Sequence, residues 1–154
     1  MSKGNGKSAK RAVLITGAAG YIGSLVTRSL AENPDGIERI VAADIREPTG
    51  SDRLSGVTYA TLDVRSPDLA NLMLAHRIDT VVHLAAIVTP AKHHTREFLY
   101  SVDVDGTRNV LDACLAAGVR KVIVTSSGAA YGYHADNARM LYEDAPLRGN
   151  EEFA

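Results

Sequence analysis

The chain has 154 residues, of which 45% are hydrophobic, and its 17 basic and 18 acidic residues give a formal net charge of −1. This length and composition predict a single globular domain. The balanced charge excludes the broad basic surface of a nucleic-acid binder, and no apolar stretch is long enough to cross a membrane. We therefore expect a soluble protein with neither nucleic acid nor membrane as a partner.

The first eleven residues are polar, basic and rich in glycine, and they lack the apolar core of a secretory signal. We expect a disordered lead-in over residues 1–11, followed by one domain over residues 12–154. The single cysteine, Cys114, excludes an internal disulfide, which agrees with a cytoplasmic location. No basic residue lies near Cys114 in the sequence, so we predict a core residue and not a nucleophile.

Five short runs rich in β-branched residues are apolar throughout, which is typical of strands covered on both faces of a parallel sheet. The predicted strands are 12–16, 40–44, 57–63, 80–84 and 121–126. Amphipathic segments separate them, so the sequence predicts an α/β fold with a doubly wound parallel sheet. Such sheets bind ligands at the carboxyl ends of their strands, where we expect the functional residues to cluster.

Three helices are predicted between these strands. The first spans residues 21–32, with an apolar face of Ile22, Leu25, Val26 and Leu30. The second begins with Ser66 as its N-cap and Pro67 as its first residue. The third spans residues 95–117, ends before Gly118 and carries an apolar stripe of Phe98, Val102, Val110, Cys114 and Ala117. Gly106 lies on the same stripe, where it costs about 1 kcal/mol relative to alanine, so we expect close packing at that position.

The first strand and the first helix are joined by the run Thr16-Gly17-Ala18-Ala19-Gly20-Tyr21-Ile22-Gly23. Glycines at this spacing serve a tight turn at Gly17, the approach of a pyrophosphate to the backbone at Gly20, and close packing of helix on strand at Gly23. The free N–H groups at the helix start, near Tyr21 and Ile22, would bind the anion. The alternative is a turn without a ligand, but the position between strand and helix favours a dinucleotide site.

Asp44, at the end of the second strand, is placed to accept hydrogen bonds from the hydroxyls of an adenosine ribose. It also opposes a 2′-phosphate, because two unit like charges about 4 Å apart repel by about 4 kcal/mol at an effective dielectric of 20. We therefore predict NAD as the cofactor, with Ile45 and Arg46 beside it. Two interpretations of Arg46 and Arg53 are open: they pair with a 2′-phosphate, or they are solvated charges of the loop.

Two further strand ends contribute candidate cofactor residues. Asp63, followed by Val64, either accepts from the adenine amino group or caps the turn into Ser66. The small side chains of the segment after the fourth strand would let the cofactor lie against the backbone at Leu84, Ala85 and Ala86.

Together these segments resemble the extended short-chain dehydrogenase/reductase family, the NAD-dependent sugar-nucleotide epimerases and dehydratases. The resemblance covers about residues 11–154 and also includes His83-Leu84-Ala85-Ala86 and the run Val-Thr-Ser-Ser-Gly-Ala-Ala-Tyr-Gly at 124–132. It implies a Rossmann fold truncated after the fifth strand, and an oxidoreductase or isomerase that acts by hydride transfer on a hydroxyl-bearing carbon. It also implies a nucleotide-sugar substrate and a homodimeric parent protein, and it leaves epimerase, dehydratase and dehydrogenase open.

The resemblance also assigns individual residues. Ser127 matches the catalytic serine, which hydrogen-bonds the reacting oxygen, whereas a serine that caps the fifth strand fits Ser126 better. Thr125 and Ser126 are expected beside the cofactor. Asp103 stands where the family has an asparagine on the nicotinamide side, so an anion replaces a neutral donor.

The sequence contains no Tyr-x-x-x-Lys, the pattern that supplies the family's acid/base. We therefore expect an inactive N-terminal part of a protein about twice as long. The alternative is a non-enzymatic dinucleotide-binding sensor or interaction module. We expect a solvated loop and no metal site at the adjacent His93 and His94, because neighbouring histidines point apart on a helix or strand. Tyr131, Tyr133 and His134 follow the serine, where a substrate would rest, and Tyr131 is expected to pack.

Overall fold

A computed structural model describes residues 11–149. Contacts divide the chain into two compact units, the first ending at Val124 and the second beginning at Thr125. The expected single domain stays a prediction. Residues 1–10 of the expected lead-in lie outside the described residues, and Arg11 already belongs to the first strand.

Five parallel strands form one sheet in the first unit, in the order β3-β2-β1-β4-β5. The order reverses beside β1, so the predicted doubly wound fold is confirmed. The strands are β1 (Arg11–Thr16), β2 (Ile37–Asp44), β3 (Val57–Thr61), β4 (Thr80–His83) and β5 (Lys121–Val124).

Three strands end earlier than predicted. β4 ends one residue early at His83, although the Leu84 N–H still donates to Thr16 O at 3.1 Å. β3 does not include Asp63, because the Asp63 carboxylate accepts the Arg65 N–H at 2.9 Å and turns the chain. β5 ends at Val124, two residues before the predicted end at Ser126.

The helices of this unit are α1 (Tyr21–Glu32), α2 (Leu69–His76), α3 (Arg96–Tyr100) and α4 (Gly106–Ala117), with a π-helical segment at Ser101–Asp105 between the last two. A 3₁₀ turn also occurs at Gly50–Asp52. The bounds of α1 confirm the prediction, but its packed face differs from the expected one. Gly23 and Thr27 are buried, whereas Ile22 and Leu25 are about half exposed. The helix packs most closely along Gly23 because that residue has no side chain.

The predicted start of α2 is wrong. Ser66 and Pro67 precede the helix, whose N-cap is Asp68. The Ser66 hydroxyl accepts from the Asp68 N–H at 3.2 Å, and the Leu69 N–H donates to Ser66 O at 3.3 Å. Ser66 therefore closes a separate turn just before the helix.

The predicted helix over residues 95–117 is present as α3, the π-helical segment and α4. Thr95 is the N-cap, and its side chain accepts from the Phe98 N–H at 3.2 Å. Gly118 ends the helix in the left-handed conformation, with φ of 71°. A Cβ on Gly106 would lie 2.8 Å from Val64 Cγ2, so the expected close packing at this glycine is confirmed.

Apolar residues cover both faces of the sheet. Leu14, Val41 and Val81 pack with α2 and α4 on one face, and Val13, Ile15 and Ile40 pack with α1 on the other. Cys114 is buried in the first of these clusters, which confirms it as a core residue. Among the described residues, no helix has the length and apolar character needed to span a membrane.

The second unit is held by local hydrogen bonds. Ser127 is the N-cap of a 3₁₀ turn at Gly128–Tyr131. Further along, the ring of His134 bonds Gly149 O at 2.8 Å, and Arg148 pairs with Asp136 at 2.9 Å.

Candidate dinucleotide-binding site

The glycine loop after β1 lies directly on the backbone after β4. Gly17 has φ of 71°, and a Cβ at this position would lie 2.6 Å from the Ala85 N atom and 2.7 Å from the Leu84 carbonyl carbon. Only glycine combines this left-handed conformation with such a close approach. The tight turn predicted at Gly17 is therefore present, and it also brings two strand ends together.

The start of α1 offers backbone donors without a side-chain cap. Gly20 is the N-cap, in an extended conformation, and the helix start has no side-chain cap hydrogen bond. Its own N–H donates to Gly17 O at 3.0 Å, and a Cβ would lie 3.1 Å from the same oxygen. A Cβ on Gly23 would overlap Gly17 O, so this glycine packs the helix against the loop and not against the strand as predicted. The uncapped N–H groups are available to an anion.

Asp44 ties the end of β2 to the glycine loop. Its Oδ2 accepts from the Ala19 N–H at 2.9 Å, and its Oδ1 accepts from the Arg46 N–H at 3.0 Å. The side chain is only 10% exposed. Each carboxylate oxygen keeps a second lone pair, so Asp44 can still accept from the two hydroxyls of a ribose.

The two arginines considered as phosphate partners differ in their contacts. Arg53 pairs with Glu47 at 2.6 Å and lies 5.0 Å over the Tyr59 ring. Arg46 remains largely exposed, with its Nε 3.7 Å from Asp44 Oδ1. The Asp44 carboxylate thus already neutralises the cation nearest to the ribose position, which disfavours a 2′-phosphate there.

Asp63 is held by Arg65, two residues further along the chain. The backbone N–H and the Nε of Arg65 both donate to Oδ1 at 2.9 Å, and NH2 donates to Oδ2 at 2.6 Å. The Arg65 guanidinium hydrogen bond lowers the pKa of the Asp63 carboxyl and keeps it ionised. Asp63 does cap a turn, although the capped N–H is that of Arg65. The adenine contact at Asp63 stays a prediction.

The loop after β4 is fixed from the α3–α4 side. Asp103, in the π-helical segment, accepts from the Ile87 N–H at 2.9 Å. The His83 ring contacts Thr16 Oγ1 at 2.7 Å and Thr107 Oγ1 at 3.0 Å. Burial lowers the pKa of His83, and the Asp103 carboxylate partly opposes that shift. Asp103 therefore anchors the loop, and its direct contact with the cofactor stays a prediction.

A cavity of about 640 Å³ lies at the carboxyl ends of the strands of the first unit, a volume typical of a small-molecule or cofactor site. Ten predicted cofactor residues line it: Gly17, Gly20, Asp44, Ile45, Arg46, Asp63, Val64, Leu84, Ala85 and Ala86. Tyr21, Ile22, Gly23 and Asp103 are not among its lining residues, so their roles toward the cofactor stay predictions. Sequence reasoning missed further lining residues, which include Arg65, Ile87, His94, Phe98 and Val102.

The two adjacent histidines lie in a loop, as expected, but their rings do not point apart. The rings of His93 and His94 are 4.6 Å apart edge to face, and the His94 ring lies 4.9 Å from Phe98. An edge-to-face pair becomes accessible here because the loop lacks the side-chain alternation of a helix or strand. In the part of the chain that the structure describes, no group of three histidine, cysteine or acidic side chains could hold a metal.

In the second unit, Ser127 Oγ accepts from the Ala129 N–H at 3.1 Å. This bond occupies a lone pair and leaves the hydroxyl proton free to donate. Ser127 therefore caps the 3₁₀ turn that follows it, and its catalytic role stays a prediction. Thr125 and Ser126 precede it outside any strand or helix, and their contact with the cofactor is equally untested.

Residues 13–154 match the sequence profile of the NAD dependent epimerase/dehydratase family. The chain belongs to this epimerase/dehydratase family. The membership predicted from the sequence motifs is thus confirmed, as is NAD, the cofactor of the family.

Three known proteins illustrate the similarity to epimerase/dehydratase family members. UDP-glucose 4-epimerase of Azospirillum brasilense is 35% identical over 136 residues, which cover 87% of this chain and 38% of that enzyme. A short-chain dehydrogenase/reductase superfamily protein from Agrobacterium tumefaciens, solved with bound NAD, has a TM-score of 0.72 at 30% identity, with coverage of 91% of this chain and 40% of that chain. MoeE5, solved with UDP-glucose and NAD, has a TM-score of 0.70 at 35% identity, with coverage of 90% and 42%. The chain spans about two fifths of the length of each.

The residues of this epimerase/dehydratase chain fit NAD. A Cβ would collide with backbone at Gly17, the start of α1 has no side-chain cap, and the Asp44 carboxylate retains acceptor capacity. The pyrophosphate would be held at the glycine loop and the adenosine ribose at Asp44.

Proposed function

We propose that the protein carrying this chain is an NAD-dependent epimerase or related oxidoreductase that acts on a nucleotide sugar. The observation that carries the proposal is a cavity whose lining includes the glycine loop, Asp44 and Asp63. The relatives support the substrate class, because one is a UDP-glucose 4-epimerase and another was solved with UDP-glucose. Epimerisation requires hydride removal from a hydroxyl-bearing carbon and its return to the opposite face.

Bound NAD supplies the hydride acceptor for such a reaction. Asp44 and the N–H groups at the start of α1 would bind and orient it. Ser127 would donate its hydroxyl proton to the reacting oxygen, since the Ala129 N–H fixes the direction of the Oγ lone pair. This role of Ser127 is carried over from the family resemblance.

The general acid/base of the reaction is not assigned to a residue of this chain. The sequence contains no Tyr-x-x-x-Lys, and a serine without an activating base is a poor proton acceptor at neutral pH. We therefore propose that the 154-residue chain alone binds NAD but does not turn over a nucleotide sugar.

A homodimeric parent protein also remains a proposal. Val104, Leu111 and Leu115 share one face of the π-helical segment and α4, at spacings of seven and four residues. Their side chains are 38%, 43% and 82% exposed, respectively. This stripe supports a helix-to-helix interface. Sedimentation of the protein and of a Leu111→Glu, Leu115→Glu variant tests it, because a dimer through this face would become monomeric in the variant.

We also propose a cytoplasmic location. The buried Cys114, whose thiol pKa is raised by burial, supports a protein that needs no disulfide. Fractionation of cells that produce the protein tests this point.

The experiment for the enzymatic proposal combines binding and turnover. NAD binding is measured by calorimetry, and UDP-glucose and UDP-galactose interconversion is followed by chromatography in a longer protein that carries this chain. We expect binding, interconversion, and loss of interconversion with retained NAD binding in Ser127→Ala. Unchanged interconversion in that variant would remove Ser127 from the reaction, and absence of NAD binding would overturn the proposal.

A further inference from the structure

Arg65 lines the cavity and contacts residues from two of its sides. Its guanidinium bonds both oxygens of Asp63 on the β3 side. Its NH1 donates to Ser101 Oγ at 2.9 Å, and its Cζ lies 5.3 Å from the centre of the Phe98 ring on the α3 side. Asp63, Arg65 and Phe98 all line the cavity.

The hydrogen bonds of Arg65 leave Asp63 with unequal oxygens. Oδ1 accepts from both the backbone N–H and Nε of Arg65, which uses its two lone pairs. Oδ2 accepts only from NH2, so one lone pair remains on that atom. An ionised carboxylate has no proton to donate. The held side chain therefore offers one acceptor and no donor to a ligand in the cavity.

We propose that Arg65 is a positioning residue that makes Asp63 a selective acceptor for the exocyclic amino group of the adenine base. The inference rests on the proposed placement of the cofactor, with pyrophosphate at the glycine loop and ribose at Asp44. The base then reaches the part of the cavity lined by Asp63 and Arg65. A hypoxanthine base carries a carbonyl oxygen in place of the amino group, so at that position the Asp63 oxygen faces another acceptor and no proton.

The test compares the affinity of the protein for NAD and for deamino-NAD, in which hypoxanthine replaces adenine. We expect the wild-type protein to prefer NAD by about tenfold, the usual effect of one hydrogen bond to a charged group. In Arg65→Gln the freed Asp63 carboxylate should reduce this preference below about threefold, through weaker NAD binding and unchanged deamino-NAD binding. Arg108→Gln is the matched control, because Arg108 pairs with Asp105 outside the cavity and should leave the preference intact.

Each outcome decides the role of Arg65. An equal loss of affinity for both dinucleotides would make Arg65 a structural residue and overturn the proposal, as would an unchanged preference in Arg65→Gln or no preference in the wild type. If Arg65→Gln does not fold, Ser101→Ala removes one hydrogen-bond partner of the guanidinium and should also lower the preference for NAD. An unchanged preference in Ser101→Ala would likewise overturn the proposal.

Gly20→Val tests the placement of the cofactor separately from the role of Arg65. If that variant still binds NAD, the proposed cofactor placement fails, whereas loss of NAD binding there with an unaltered preference in Arg65→Gln defeats only the role of Arg65.

Discussion

Thr16 and His83 share a buried hydrogen bond of 2.7 Å between Oγ1 and Nδ1. On the other side of the ring, Nε2 lies 3.0 Å from Thr107 Oγ1, whose own proton is donated to Asp103 O at 2.6 Å. Thr107 must therefore accept from Nε2–H, and Thr16 must donate to Nδ1. The network is satisfied only by a neutral imidazole, and it joins β1, β4 and the start of α4.

Substitution of His83 by leucine should destabilise the fold by about 2 kcal/mol, since it leaves the fully buried Thr16 hydroxyl without its acceptor. Urea unfolding followed by circular dichroism measures the change. Thr27→Val serves as a comparison, because it also removes a buried hydroxyl but one that bonds only within α1. A loss below about 0.5 kcal/mol in His83→Leu would show that the network adds little to stability.

The same histidine predicts a pH dependence of stability. Burial lowers the folded-state pKa of His83 below its ordinary value of 6.5. The unfolded chain therefore binds a proton first as the pH falls, so the stabilising contribution is complete above about pH 6.5 and is lost as the pH falls toward the folded-state pKa. Unfolding free energies between pH 7.5 and 5.5 should decline more steeply in the wild type than in His83→Leu. Parallel slopes would contradict a neutral buried imidazole.

NAD should bind more tightly than NADP, because the Asp44 carboxylate suits a ribose diol and repels a 2′-phosphate. Asp44→Asn should lower the ratio of the NADP dissociation constant to the NAD dissociation constant by about tenfold or more. The substitution removes the negative charge that pairs with Arg46 and repels the 2′-phosphate. Calorimetric titration with both dinucleotides measures the ratio, with Asp52→Asn as a control for charge alone. A wild-type preference for NADP would show that the exposed arginines outweigh the carboxylate.

Gly20→Val should abolish dinucleotide binding while the protein remains folded. A branched side chain at this N-cap would fill the space where the pyrophosphate meets the backbone, and its Cβ would already lie 3.1 Å from Gly17 O. Ala116→Val places the same side chain on the exposed face of α4 and should leave NAD affinity unchanged. Retained affinity in a folded Gly20→Val variant would remove the glycine loop from the site.

Gly106→Ala should lower stability by about 1 kcal/mol, because the added methyl would meet Val64 Cγ2 at 2.8 Å. The sign should reverse in a Val64→Ala background, where the clash is gone and the higher helix propensity of alanine, about 1 kcal/mol, remains. Denaturant unfolding of the two single variants and the double variant gives the coupling. Equal effects in both backgrounds would show that backbone, not Val64, limits this position.

Much of the fold follows from local pattern. The apolar β-branched runs predict all five strands, and the glycine loop followed by Asn33-Pro34 predicts the bounds of α1. The ends of β3 at Thr61 and of β5 at Val124 are not predictable in this way. Side-chain hydrogen bonds to Arg65 and a turn capped by Ser127 decide where pairing stops, and neither changes the hydrophobic pattern.

The π-helical segment also has a sequence signal, although the apolar stripe by itself predicts an ordinary α-helix. Four successive spacings of four residues exceed four α-helical turns by about 1.6 residues. A π turn adds about one residue, so it keeps the whole stripe on one side of the helix. The stripe consists of Phe98, Val102, Gly106, Val110 and Cys114, which first line the cavity and then enter the core.

Some residues of the candidate site are likewise predictable from the sequence, and others are not. Gly17, Asp44 and Leu84 follow strands directly, so the rule that ligands bind at strand ends finds them. His94 and Phe98 reach the cavity from a loop and a helix, and no spacing relates them to the strands. Arg65 directly follows Asp63 and Val64 in the sequence, but nothing in the pattern distinguishes it from a solvated arginine in a turn.

The bond between Asp44 and the Ala19 N–H, together with the contact of Gly17 on Ala85, has a consequence for how a ligand is received. Both interactions exist within the protein alone, so the conformational entropy of the glycine loop is lost during folding and not during association. Such a preorganised loop offsets less of the binding free energy than a loop that must order around its ligand. The cofactor then enters and leaves a cradle of fixed shape.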